Sequence, residues 1–249
     1  MLLICINGII ALAEPKFGYT WEEIKRKGVD IVVAVDVSKS MLAEDIKPSR
    51  LQRAKMKLHD LLGILQGDRV ALVAFAGTGF LECPLTLDYE AFQIFLDYLE
   101  PSLIPVPGTS FSNALETASK AFSADSGRGK SIIMITDGED QDEGLKSVLP
   151  TLKEKGIRVF TIGIGKEEGI PIPDEQGGFK KDENGNIILT KLNVKTLEEI
   201  AVSTGGQFVR SSSGDIDLQK IYTDGIKANT KDNDFKSSKK QVWQKRFQI

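Results

Sequence analysis

From residue 29 to about residue 229 the chain alternates short apolar runs with segments whose apolar positions recur at helical spacing. Val29–Val35 is largely aliphatic and β-branched, the pattern of a strand covered on both faces. After Pro48, Ser49-Arg50-Leu51-Gln52 reads as a capping box. It opens a helix to about Leu65 with Leu51, Ala54, Leu58, Leu61, Leu62 and Leu65 turned inward. Arg69–Ala76 predicts a second strand, and Gly77–Gly79 turns the chain into a short strand near Phe80–Leu85, placed at an antiparallel edge. Asp88 caps a helix over Tyr89–Leu99, and the proline-rich stretch Pro101–Gly108 is a loop. A helix over Ser110–Phe122, a strand at Ser131–Thr136, a helix over Glu143–Lys155 and a strand at Ile157–Ile164 follow. Asn184-Gly185 marks a turn between polar runs, so residues 166–191 read as a β-hairpin inserted on the rim of the sheet. A helix over Val194–Ser203, a strand at Gln207–Arg210 and a helix over Asp215–Asn229 complete the alternation. The pattern predicts an α/β fold: a doubly wound, mostly parallel sheet with one antiparallel edge strand and helices on both faces.

Three segments result: residues 1–28, a domain over 29–229, and residues 230–249. Met1–Ala13 is apolar and uncharged, yet shorter than the ~20 residues a membrane-spanning helix needs, and no basic residue precedes it as in a secretory signal. The remnant of a transmembrane helix and a buried first helix both fit it. Between Lys227 and Arg246 seven Lys or Arg stand against Asp232 and Asp234, with Trp243 and Phe247 near the end. A solvated tail and a juxtamembrane segment with Trp243 at headgroup level both fit that composition.

Composition changes this picture little. A hydrophobic fraction of 41% in 249 residues supports a sizeable core, and a net charge of −3 gives no electrostatic case for nucleic acid. With only Cys5 and Cys83, a disulfide framework is not expected. His59 is the single histidine, which excludes multi-histidine zinc sites and leaves no competent Ser-His-Asp set.

The chemistry sits elsewhere. Asp36-Val37-Ser38-Lys39-Ser40 and Thr136-Asp137-Gly138 each lie just past the carboxyl end of a predicted strand, where open parallel sheets bind ligands. Gly108-Thr109-Ser110 closes a long loop and opens a helix. If the chain stays extended as it leaves the strand, residues 36, 38 and 40 point the same way. Asp36, Ser38, Ser40, Thr109 and Asp137 then form an all-oxygen set suited to a hard cation: Mg²⁺, with Mn²⁺ or Ca²⁺ as alternatives.

That set, in this order and on this strand pattern, resembles the metal-ion-dependent adhesion site of von Willebrand factor A domains. The resemblance covers about residues 29–229. It implies Ser38, Ser40 and Thr109 as direct metal ligands, with Asp36 and Asp137 acting through water. Ala11–Pro15, Asp36–Met41 running into Asp45–Arg50, Phe80–Thr86, Leu103–Thr109 and Thr204–Phe208 are similar to the Bat aerotolerance-type bacterial membrane proteins. This kinship implies a domain anchored by flanking segments on the periplasmic side of the inner membrane. It also implies partners among other Bat-type proteins or a MoxR-type AAA+ ATPase system. Two departures stand out: the chain holds no full membrane span, and its basic tail falls on the side that the positive-inside rule disfavours.

Other motifs fail on spacing. Gly129-Lys130-Ser131 has Ala124 where a phosphate loop needs glycine, and Gly163-Ile164-Gly165 is followed by Gly169, one place too late for a dinucleotide fingerprint. Asp140, Asp142 and Asp182 lack EF-hand spacing and read as solvated turn residues. His59 reads as an exposed helical residue and Cys83 as a buried structural thiol. The leading expectation is a metal-dependent protein-binding module, not an enzyme, whose partner offers an Asp or Glu carboxylate. The alternatives are a metal-assisted phosphoester hydrolase and a structural membrane scaffold.

Overall fold

The computed structural model describes residues 19–24, 28–123, 127–140, 144–174, 177–212, 214, 216–228 and 238–243. It divides into two units, Met1–Arg26 with Phe235–Ile249, and Lys27–Asp234. In the smaller unit, β1 (Tyr19–Ile24) pairs antiparallel with β10 (Ser238–Trp243). The sequence reading expects a strand at neither place. Its expectations for Met1–Ala13 and for Phe247 lie outside the described residues.

The larger unit is organised around β2 (Val29–Asp36), β3 (Arg69–Phe75), β4 (Gly79–Thr86), β5 (Gly129–Thr136), β6 (Ile157–Gly163) and β9 (Phe208–Arg210). They form one sheet in the order β4–β3–β2–β5–β6–β9, parallel throughout except for the β3–β4 pair. Every residue of β2 is buried, and its pleat serves two cores at once. Val29, Ile31, Val33 and Val35 face one cluster; Val32 and Ala34 face the other.

The first cluster is closed by α1 (Arg50–Ile64), α2 (Tyr89–Asp97) and α6 (Ile216–Gln219, continuing through Lys220–Lys227). The second is closed by α3 (Phe111–Lys120), α4 (Leu145–Glu154) and α5 (Val194–Ser203). The helix starts follow the expected chemistry. Ser49, Asp88, Ser110 and Asn193 each accept the backbone N–H three residues ahead.

Two elements differ from expectation. The last helix widens to π-helical turns over Lys220–Lys227, where Gly225 lies so close to Phe160 that a Cβ would stand 2.6 Å from the ring. The insertion is more than a hairpin. β7 (Ile170–Pro171) pairs with β8 (Leu189–Thr190), and a third segment around Phe179–Lys181 is bonded to both arms. His59, with 37% of its side chain exposed, meets Asp97 at 2.9 Å, and Cys83 is buried as expected.

Two carboxylates on β2 are fully buried, and their surroundings differ. At its amino end Asp30 receives both prongs of Arg69, at 2.8 and 2.6 Å, and lies 3.0 Å from Arg128. A buried charge left without such partners costs several kcal/mol, on the order of what two core leucines contribute. Asp36, at the carboxyl end, is held differently.

Candidate metal centre

The chain passes from β2 to β3 on one side and reaches β5 on the other, so strand order reverses around the carboxyl end of β2. Asp36 ends β2 beside Thr136, the last residue of β5, and this register delivers the contact. Thr136 Oγ1 donates to Asp36 Oδ2 at 2.6 Å and accepts from Gly138 N–H at 3.1 Å. Asp36 Oδ1 accepts the Ser38 N–H at 2.8 Å. Both of these donors to Asp36 are neutral. Burial first, and then the charge of Asp137, push the Asp36 carboxyl up to about 7, although the hydrogen bonds from Thr136 and Ser38 oppose the rise.

Val37 N–H bonds Phe75 C=O at 2.8 Å, holding the strand exit in line, and the chain then tightens into a 3₁₀ turn at Lys39–Leu42. Extended alternation therefore stops at Ser38, and the turn is what brings Ser40 round. The two hydroxyls meet at 2.9 Å, both buried. Thr109, also buried, precedes Ser110, whose N–H bonds Ala76 C=O at 2.8 Å just past β3. Asp140 is no free turn residue: its Oδ1 accepts the Phe111 N–H at 3.2 Å, tying the start of α3 to the loop after β5. Asp182 does serve a turn, accepting from Asn184 and Asn186, while Asp142 lies outside the described residues. Gly138 has φ +81°, and a Cβ there would stand 2.5 Å from Asn193 C=O, so this turn requires glycine.

Asp137 is fully buried and engaged on both oxygens. Its Oδ1 accepts the Glu139 N–H at 3.1 Å; its Oδ2 accepts Arg50 Nη1 at 2.9 Å and lies 3.3 Å from Thr190 Oγ1. Arg50, Thr136, Glu139 and Thr190 are absent from the residue set that sequence reasoning assigns to the site. Burial raises the Glu139 carboxyl, and the Asp137 charge adds to this against bonds from Lys191 and Thr190.

The donor set suits a small hard cation. In an octahedron of oxygens at ~2.1 Å from a Mg²⁺-sized ion, neighbouring oxygens stand about 3.0 Å apart. The Ser38 and Ser40 hydroxyls already have that spacing. Among the described residues no group of three or more His, Cys, Asp or Glu is placed to hold a metal.

A family profile for the von Willebrand factor type A domain matches residues 31–139. A solved structure of an aerotolerance-related membrane protein from Bacteroides fragilis is 36% identical, with TM-score 0.76, and the match covers 79% of this chain and 98% of that one. The BatB structure from Bacteroides thetaiotaomicron is 38% identical, with TM-score 0.77, covering 82% and 100%. A UPF0353 protein of Nocardia farcinica is 29% identical over 239 residues, 89% of this chain and 69% of that one. The chain spans between 59% and 69% of the length of eight of the curated relatives it matches. At 20% identity and TM-score 0.59, covering 85% of this chain and 48% of that one, proximal thread matrix protein 1 of the mussel byssus shares the fold, and its adhesion-site motif is described as zinc-occupied.

Proposed function

The chain belongs to the von Willebrand factor type A domain family, in company with the Bacteroides aerotolerance-related proteins, and from that premise we propose that it is a divalent-metal-dependent module capturing a protein partner through an Asp or Glu carboxylate. The observation that carries this reading is the contrast along β2. Asp30 is neutralised by arginine, whereas Asp36 is fully buried among neutral donors and faces the charge of Asp137. A cation at the carboxyl end of the strand would relieve that repulsion.

Ser38, Ser40 and Thr109 would hold the ion directly, with Asp36 and Asp137 one shell out. Mg²⁺ or Mn²⁺ suits these oxygens better than a thiophilic metal. When bound, the ion supplies a positive centre with open positions that a carboxylate can complete. Thr136 and the Ser38 N–H orient Asp36, and Arg50 orients Asp137. The exposed residues Lys39, Glu44, Pro105, Val106 and Pro107 frame the approach.

A hydrolase would need a base beside the ion. Glu139, the nearest acid in sequence, has both oxygens held at the root of the insertion, by Lys191 N–H at 2.9 Å and Thr190 Oγ1 at 3.1 Å. Binding is therefore favoured over turnover. Among the described residues no helix is long and apolar enough to cross a membrane. Association with a membrane draws on the Bacteroides protein described as a membrane protein, and placement on the periplasmic side of the inner membrane is part of the proposal.

The test is capture of partners from native membranes by wild type and Asp36→Ala, with and without chelator. Capture should need both the ion and Asp36. Capture that ignores chelator discards the metal-bridged mechanism.

A further inference from the structure

Arg50 is an unusual residue at its position. It opens α1, where the helix dipole disfavours a cation, and yet it is completely buried. Its guanidinium forks onto Asp45, Nε to Oδ1 at 2.9 Å and Nη2 to Oδ2 at 3.0 Å. Nη1 donates to Asp137 Oδ2 and to Thr190 Oγ1, each at 2.9 Å. Two of these three partners, Asp45 and Thr190, lead to the insertion. Asp45 Oδ2 also accepts the Lys166 N–H at 2.7 Å, where the insertion leaves the sheet. Thr190, Lys191 and Asn193 lie where it returns, and Asn193 N–H bonds Asp137 C=O at 2.8 Å. Leu192 N–H closes the root on Lys166 C=O at 2.7 Å.

Thr190 has one hydroxyl proton and two acids within reach, Glu139 Oε2 at 3.1 Å and Asp137 Oδ2 at 3.3 Å. Arg50 Nη1 and the Thr190 hydroxyl together face Asp137 Oδ2, and an oxygen so covered is a poor metal ligand; the same hydroxyl faces Glu139 Oε2, whose other oxygen accepts the Lys191 N–H. We propose that Arg50 and Thr190 are positioning residues through which the 166–191 insertion keeps Asp137 and Glu139 from ligating the metal directly. This inference rests on the metal-binding reading above. Its consequence is that the ion keeps its charge for a partner, and that whatever grips the insertion reaches the metal centre through two side chains.

The test uses the full chain and Mn²⁺ alone as probe. Mn²⁺ affinity is measured by calorimetry, and metal-bound water by proton relaxation, for wild type, Thr190→Val and Thr190→Val/Glu139→Gln, with thermal melting of each as a check on folding. Thr190→Val is close to isosteric and leaves Arg50 in place, whereas Arg50→Lys risks unfolding by leaving buried carboxylates unpaired. The inference predicts that Thr190→Val binds Mn²⁺ roughly 10-fold more tightly, the size that outer-shell changes reach, here with the sign reversed. Water relaxation per bound ion falls at the same time, because a released carboxylate replaces water. Adding Glu139→Gln should reverse the part of the change that is due to Glu139. A folded Thr190→Val with unchanged or weaker affinity and unchanged water relaxation overturns the inference alone. Wild type that binds no Mn²⁺ overturns the metal reading and this inference with it.

Discussion

Asp36 is the residue on which the chemistry turns, and its protonation gives a measurable sign. With its carboxyl raised from 3.8 to about 7 by burial and by Asp137, the folded metal-free chain holds the proton more tightly than the unfolded chain does. That contribution to stability is fully present below 3.8 and is lost as pH rises through about 7. In chelator, Asp36→Asn should therefore gain in melting temperature over wild type as pH rises across that window. A difference that stays constant with pH contradicts the assignment. The meeting of Ser38 with Ser40 just past β2 was legible because Asp36, Ser38 and Ser40 share one pentapeptide, and Asp137 repeats the strand-exit position. Arg50 was not, since the two partners that tie it to the site, Asp137 and Thr190, stand 87 and 140 residues away. One signal pointed to it: a cation in the first turn of a helix opposes the dipole, and a residue that breaks a local rule often answers to a distant one.

At the scale of elements, most strands of the larger unit were readable because burial on two faces leaves a nearly continuous aliphatic pattern, and most helices because their apolar positions recur at helical spacing. The insertion and the last helix were the exceptions. A π-helical turn carries no periodicity of its own, and what sets it is packing, Gly225 against Phe160. That helix is also fastened by a buried carboxylate at the end of the sheet away from the metal centre. Asp68 Oδ1 accepts from Val29 N–H at 2.6 Å and from Lys227 Nζ at 2.8 Å, while its Oδ2 accepts from Tyr222 OH at 2.6 Å. One side chain thus joins the start of β2 to the end of α6. Asp68→Ala, which leaves Val29, Tyr222 and Lys227 without this acceptor, should cost about 3–5 kcal/mol in urea unfolding. Lys227→Met should cost less, about 1–2 kcal/mol, because Lys227 is partly exposed. Gly225→Ala should cost about 1–3 kcal/mol by overpacking Phe160. Equal costs for the two Asp68-network variants would contradict the clasp.

At the scale of the whole molecule, the pairing of the two flanks was hidden from the sequence. Each of the two paired strands draws its hydrogen bonds from a partner over two hundred residues distant, and the charges of residues 236–246 read as a solvated tail or a juxtamembrane segment. The register sets Thr20 opposite Val242 and Trp21 opposite Gln241. In a Cys5→Ser, Cys83→Ala background, cysteines at one of these directly opposed pairs should oxidise to a disulfide, whereas Thr20→Cys with Lys240→Cys should not. The account as a whole depends on an ion at the carboxyl end of β2. Crystals grown with Mn²⁺ and measured for anomalous scattering test this most directly. The account predicts one peak about 2.1 Å from the hydroxyl oxygens of Ser38, Ser40 and Thr109, with Asp36 and Asp137 reaching it through water. A peak elsewhere, or none at saturating Mn²⁺, would contradict it.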